Sequence, residues 1–238
     1  MSSRPFISTW TKFKGPTSGA LDPSIFAPLF ASNIEIQDAR YGRIAESPGE
    51  YMLVVIWPTE ADYKRFMESA QHDSLRVRLK AESPDEPTTQ VLDFGNMLYW
   101  HHFGVNTEFR TVYFPNTTLP ATRDAVRSLK GLVTTAGHGI GGDFAHMCPY
   151  RCVPTKGWVD AEQTWNERKT VACIWVHNWK DEESEKKFKA TGRRMPKSEE
   201  DYQPLALEAF EGELEDLGAL AWEDIHVDFQ KVPRMVGA

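Results

Sequence analysis

The chain has 238 residues, 41% hydrophobic and 12% aromatic, and a net charge of −7, which is material for one sizeable core or two of about 100 residues each. The acidic balance argues against nucleic acid as the main partner, because neutralising phosphates needs a basic surface. No stretch approaches the roughly 18 consecutive apolar residues of a membrane span, and the start, MSSRPFISTW, lacks the features of a signal peptide, so the expected location is the cytoplasm with no membrane partner.

In chain order, FISTWTKF (6–13) alternates as a half-buried strand and leads into a helical stretch, SIFAPLF (24–30). IEIQDARYGRI (34–44) reads as a second strand, with Asp38 and Arg40 on one face and Tyr41 and Arg43 on the other. MLVVIWPTEADYKRFM (52–67) reads as strand, cap and helix: Thr59 is a good N-cap, Glu60 suits a helix N-terminus, and Phe66 falls on the core-facing stripe. MLYWHHF (97–103) is expected to be a closing strand on which His101 and His102 point to opposite faces.

The pattern then repeats. FRTVYFPN (109–116) precedes a helix in ATRDAVRSLKGLV (121–133), HMCPYRCV (146–153) is taken as the next strand, and IHVDFQKV (225–232) closes the series. Between them IWVHNWKDEESEKKFK (174–189) matches 52–67 without a gap, pairing Trp57 with Trp179, Thr59 with Asp181, Lys64 with Lys186 and Phe66 with Phe188. The basic run from Lys186 to Arg194 follows Asp181, Glu182, Glu183 and Glu185, so it reads as a solvated helix laced with i,i+4 pairs.

Each half thus has the order β-α-β-β-α-β of a ferredoxin-like unit. Two such sheets stacked face to face predict an α+β fold in which ferredoxin-like repeats, residues 1–106 and 107–238, form one pseudo-dimeric barrel around a small-molecule pocket. The second half is longer by about twenty residues, an insertion placed around 137–168 as a candidate lid. A chain carrying both halves closes its own barrel, which predicts a monomer or weak homodimer.

The segments VVIWPTEADYKRFMESAQHDS (54–74) and WVHNWKDEESEKKFKATG (175–192) resemble the dimeric α+β barrel superfamily, and within it the antibiotic-biosynthesis-monooxygenase-like proteins. In that family a histidine commonly follows the helix begun at the tryptophan, and His72 occupies the matching place, with no counterpart in the second half. The resemblance implies a fold more than a reaction, since relatives include cofactor-free oxygenases, cyclases, lyases, isomerases, haem enzymes and stress-induced proteins.

Several constellations bear on chemistry. Val171, Cys173, Trp175 and His177 share one face of a strand, read here as barrel lining with His177 at the mouth. His146, Cys148, Tyr150 and Cys152 recur with period two; a pocket wall or plain packing is preferred to zinc, because such ligands would stand about 6–7 Å apart. The three cysteines are expected to be free thiols. GHGIGG (137–142) lacks the strand-then-helix context of a dinucleotide fingerprint and reads as a hinge carrying His138.

The function expected from these features is a cofactor-independent acid/base enzyme, a cyclase, isomerase or lyase, acting on a hydrophobic aromatic or polyketide-like molecule of secondary metabolism. The alternatives are a cofactor-free monooxygenase and a non-catalytic binding or stress-response protein. Proton transfer is assigned to His72, His146 and His177, with Tyr41, Tyr113 and Tyr150 next. Trp57, Arg43, Cys148, Cys173, Trp175 and His101 are expected to bind substrate, with no metal and no organic cofactor.

Overall fold

Alternating side chains let a strand serve two apolar surfaces at once, and the fold is built on that property. The computed structural model describes residues 5–31, 34–81, 83, 85–95, 98, 100–132, 149–192 and 204–234. The strands are β1 (Pro5–Lys14), β2 (Asp38–Ile44), β3 (Glu50–Thr59), β4 (Thr88–Asp93), β5 (Thr107–Pro115), β6 (Thr155–Val159), β7 (Gln163–Trp165), β8 (Arg168–Asn178) and β9 (Ala221–Lys231). The helices are α1 (Glu60–Met67), α2 (Ala70–Leu79), α3 (Pro120–Ser128), α4 (Glu182–Thr191) and α5 (Ala206–Asp216), with 3-10 turns at Pro23–Leu29 and Trp100–His102.

All strand pairs are antiparallel, in the order β5-β9-β2-β3-β1-β4-β6-β8-β7, and a β5–β8 pairing closes eight of them into a barrel. The strands before residue 107 lie in the order β4-β1-β3-β2 and the later ones in the order β9-β5-β8-β6. Two seams join these sets. The β2–β9 seam registers five residue pairs, from Arg40–Lys231 to Ile44–Val227, whereas β4–β6 registers two, Leu92–Val159 and Asp93–Trp158. Gly42 sits in the longer seam, where a Cβ would collide with the Asp228 carbonyl, so only glycine lets the strands approach this closely. No helix of the described residues is long and apolar enough to cross a membrane.

Three apolar clusters divide the interior. Trp10, Met52, Val54, Ile56, Phe94, Phe103, Phe109, Ile174, Val176 and Phe229 fill the barrel. Trp10 lies 4.5 Å from Phe109 and stacks on Phe94 at 5.8 Å, and Phe229 packs edge-on to Phe103 and Phe109 at 5.3 and 5.7 Å. The expected pocket inside the barrel is therefore replaced by interlocking aromatic rings. The opposite faces of β1–β3 bury Tyr41, Leu53, Val55 and Trp57 with Phe66, Leu75 and Leu79 of α1 and α2. Those of β5, β6 and β8 bury Val112, Phe114, Trp158, Cys173, Trp175 and Trp179 with Val126, Phe210 and Leu214 of the later helices.

Thr59 caps α1 by accepting from Asp62 N at 3.1 Å, and Asp181 caps α4 by accepting from Ser184 N at 2.7 Å, both as their positions in the repeat predict. Two expected strands differ. Residues 100–102 form a 3-10 turn, and the strand pairing with β1 lies earlier, at Thr88–Asp93. In 149–153 only an isolated Tyr150–Trp179 bridge forms, and the strand beside β8 is β6; residues 133–148 lie outside the described region, with the whole glycine-rich segment 137–142 and its His138 among them. Aromatic residues mark both segments, but they do not by themselves make a strand: the described residues of the two segments contribute only the Tyr150–Trp179 bridge.

Beside its apolar cluster, the layer beneath α4 and α5 also holds buried charges. Arg110, 3% exposed, holds Asp224 through two hydrogen bonds of 2.8 and 2.7 Å and Glu211 through a third of 2.9 Å. Glu108 is fully buried and accepts from Trp179 Nε1 at 2.7 Å and Lys189 Nζ at 2.6 Å. Burial alone would raise its pKa, but His177 at 3.4 Å and the Lys189 ammonium outweigh burial and hold the carboxyl well below its ordinary range. Lys189 also reaches Glu185 at 2.7 Å. His226 lies between two carboxylates, Nδ1 2.5 Å from Glu46 and Nε2 2.9 Å from Glu185, so both ring nitrogens donate and the ring is an imidazolium. The Glu185 hydrogen bond outweighs burial and, with Glu46, raises the His226 pKa to about 9.

Two outcomes follow for measurement. Phe109→Ala removes the ring at the centre of the barrel and is expected to cost about 3–5 kcal/mol of unfolding free energy in urea titrations. His226 gains its proton partner on folding, so its contribution is complete below its unfolded pKa near 6.5 and is lost as pH rises through about 9. Wild type is expected to exceed His226→Gln by about 1–2 kcal/mol at pH 6, after allowance for solvent screening. That difference should fade by pH 10.

Candidate active site

The first helix layer does not close completely. Between the outer faces of β1, β3 and β4 and the inner faces of α1 and α2 lies a cavity of about 210 Å³. Its sheet side is formed by Thr9, Thr11, Leu53, Val55, Trp57 and Thr89. Trp57 is almost completely buried, and its Nε1 donates to Thr9 Oγ1 at 3.0 Å, which fixes the indole plane. Thr11 and Thr89 share a 2.9 Å hydrogen bond across β1 and β4. These hydroxyls put a polar strip on a floor that is otherwise apolar.

The helices supply the other wall. Tyr63 and Phe66 of α1 stand 6.0 and 5.0 Å from the Trp57 ring. The break between α1 and α2 is set by Ser69, which donates to Phe66 O at 2.6 Å and accepts from His72 N at 3.3 Å. His72 thereby falls in the first turn of α2, its ring edge-on to Phe66 at 5.7 Å and its side chain 24% exposed. Leu75, Arg76 and Leu79 continue the same wall. Arg76, half exposed, is held by Glu86 at 3.1 and 3.2 Å. Burial, with Asp160 adding to it, raises the Tyr63 pKa, so the phenol stays protonated and can donate.

The cavity brings together two of the residues singled out from the sequence, His72 and Trp57. The others lie elsewhere. Cys173, Trp175 and His177 face away from the barrel into the layer under α4 and α5, a correction by one register step: the barrel-facing residues of β8 are Ala172, Ile174 and Val176. Burial pushes the Cys173 thiol up to about 12, leaving it a packing group, and Trp175 packs on Phe210 at 4.8 Å. Tyr150 packs on Trp179 at 4.4 Å, and Tyr41 on Phe26 at 4.7 Å under the first 3-10 turn.

Arg43 binds the carbonyls of Pro16 and Gly19 and the Tyr51 hydroxyl, so it fastens a loop. Tyr113 stacks on Trp165 at 6.0 Å and bonds Glu223 at 3.1 Å, and burial together with that carboxylate pushes its pKa up to about 12. His101 lies on the 3-10 turn beside His102. His146 and Cys148 lie outside the described residues.

Tyr63, Arg76, Thr9, Thr11 and Thr89 were not singled out. A signal existed for part of the set: His72, Leu75, Arg76 and Leu79 recur at i, i+3, i+4 and i+7, one stripe of a helix. No comparable signal marks the threonines, whose facing depends on the register of β1 and β4.

No protein-family model matches the sequence, and no curated protein matches it significantly. Solved structures do match over nearly the whole chain. One is a protein from Lactobacillus acidophilus NCFM provisionally classed as a monooxygenase, with a TM-score of 0.55, 8% identity and 97% of each chain covered. A second is an anthrone oxidase-like protein, with a TM-score of 0.53, 12% identity, and 98% of this chain and 97% of that one covered. A third, from Fusobacterium nucleatum and also provisionally classed as a monooxygenase, has a TM-score of 0.53 and 9% identity over 94% of this chain and 92% of that one. At these identities the likeness is one of fold, and it agrees with the eight-stranded closure: this chain has the fold of the dimeric α+β barrel proteins, with the whole barrel in a single polypeptide.

Proposed function

We propose that the protein is a cofactor-independent monooxygenase acting on a flat, hydrophobic aromatic molecule in the cavity beside Trp57. The observation that carries this reading is the meeting of a buried indole, a protonated phenol and a histidine at one largely apolar cavity, on a fold shared with proteins classed as monooxygenases. These neighbours favour oxygenation over the cyclase, isomerase or lyase expected from sequence. The volume of about 210 Å³ is below the common range for ligand pockets and suits one or two rings.

The reaction of that class converts an acidified ring methylene to a carbonyl: the methylene loses both hydrogens and gains one oxygen atom of dioxygen, and the other oxygen atom leaves with those hydrogens as water. His72 would take the proton from the methylene, leaving a carbanion that the ring system delocalises toward its own oxygen. Tyr63 would donate a hydrogen bond to that developing oxyanion. The substrate carbanion supplies the electrons for dioxygen, so the protein contributes a base, a donor and a largely apolar wall that orients the ring. The base returns its proton as water leaves.

The same reading gives the chain two ferredoxin-like halves, 1–106 and 107–238, with an insertion around 137–168. It is supported by the strand orders β4-β1-β3-β2 and β9-β5-β8-β6. Among the described residues the cavity lies in the first half, while the matching layer of the second holds an apolar cluster together with the Glu108, Arg110 and Lys189 ion pairs. A small-molecule substrate, without nucleic acid, is the partner this implies.

Oxygen uptake with one- and two-ring anthrone-like compounds that carry an acidified ring methylene tests the reading. Wild type is expected to consume one dioxygen per carbonyl formed. His72→Ala should lower kcat/KM by about 100-fold or more with the fold unchanged by circular dichroism. Product formed by proton shift without oxygen uptake would restore the acid/base enzyme, and binding without turnover would leave a carrier. Calorimetric titration is expected to give one ligand per chain, and Leu53→Trp, which fills the floor, should abolish that binding.

A further inference from the structure

Among the described residues, two groups of three side chains bring potential metal-ligand atoms within 4.8 Å of one another: Glu108, Glu185 and His226, and His101, His102 and Cys152. The first is already closed around a cation, because Lys189 Nζ lies 2.6 Å from Glu108 and 2.7 Å from Glu185. The second has a different chemistry. We propose that His101, His102 and Cys152 form a zinc site.

Two imidazole nitrogens and one sulfur are the donor set that a borderline-soft cation such as Zn2+ prefers to Mg2+ or Ca2+. The two segments that carry them are already fastened to one point. Asn178, at the end of β8, donates through its side chain to the His101 carbonyl at 2.8 Å and accepts at its own carbonyl from Arg151 N at 2.8 Å. Lys180 N bonds Pro149 O at 2.9 Å, and the Cys152 thiol lies 3.3 Å from the same His101 carbonyl. His102 is 5% exposed, so one ligand is held by packing, whereas His101 is exposed and Cys152 half-buried.

Tetrahedral zinc needs ligand atoms about 3.3–3.6 Å apart, a contraction of about 1 Å from the present spread, within reach of side-chain rotation. Binding replaces the Cys152 S–H bond by an S–Zn bond and releases that proton to solvent, while the neutral imidazoles give up none.

The location suggests what the ion does. His101 and His102 follow β4, and Cys152 precedes β6, the two strands whose seam registers only two residue pairs. An ion held from both segments would tie the two strand sets together at the Asn178 end of β8, beyond the residues that pair in that seam. It is a structural role, separate from the cavity against α1 and α2.

The test uses full-length protein stripped of metal with a chelator. Zinc, titrated against a chromophoric competitor, is expected to bind at one equivalent with Kd below about 1 µM, release about one proton per ion at pH 7, and raise Tm. Cobalt should produce a thiolate-to-metal charge-transfer band. Cys152→Ser should abolish the band, and Cys152→Ser and His101→Ala should each weaken zinc at least about 100-fold and remove the Tm increase; His101, being exposed, can be changed without loss of the fold. Zinc affinity weaker than about 100 µM in wild type, or a Cys152→Ser protein that keeps the band and the affinity, would overturn the site.

Discussion

A closed ring of strands covered by helices obliges each strand to be apolar on both faces, because one face fills the barrel and the other meets a helix layer. β3 is the clearest case. Met52, Val54 and Ile56 point into the barrel, and Tyr51, Leu53, Val55 and Trp57 point outward, all of them buried. Once the barrel is packed with rings, space for a small molecule arises where an outer layer fails to touch its sheet. The cavity under α1 and α2 follows from that.

The same constraint decided what was legible in the sequence. The strand-Trp-cap-helix repeat was readable because Trp57 and Trp179, Thr59 and Asp181 recur at fixed spacing and do local work, capping helices and plugging the layer behind them. Facing was not readable. Where both faces are apolar, VACIWVHNW has no polar side to mark solvent, and Cys173, Trp175 and His177 can be placed inside or outside with equal consistency. The cavity inherits this difficulty: its histidine was placed by its position after the Trp57 helix, but its threonines depend on strand register.

The repeat also shows how one design can be finished in two ways. Trp57 donates to a neutral threonine and stands beside open space, whereas Trp179 donates to an ionised, fully buried carboxylate. That carboxylate is tolerated because Lys189 balances its charge and the indole satisfies a lone pair; without them it would be an uncompensated buried charge. The ion pairs occupy the room that the first layer leaves for a ligand. In a barrel of two identical chains any substitution is made twice, so a cavity on one side implies its copy on the other. Here the two layers belong to one polypeptide and differ freely.

The unequal seams carry a further consequence. The ring has one long joint, tightened at Gly42, and one short joint of two residue pairs. Heat or pulling would part the short joint first, and the ring would then unroll into an open sheet with β4 and β6 as bare edges. Such edges offer unpaired backbone to any neighbouring chain. The molecule's route to aggregation, or to exchange of strands between two copies, would start there, long before the aromatic interior came apart.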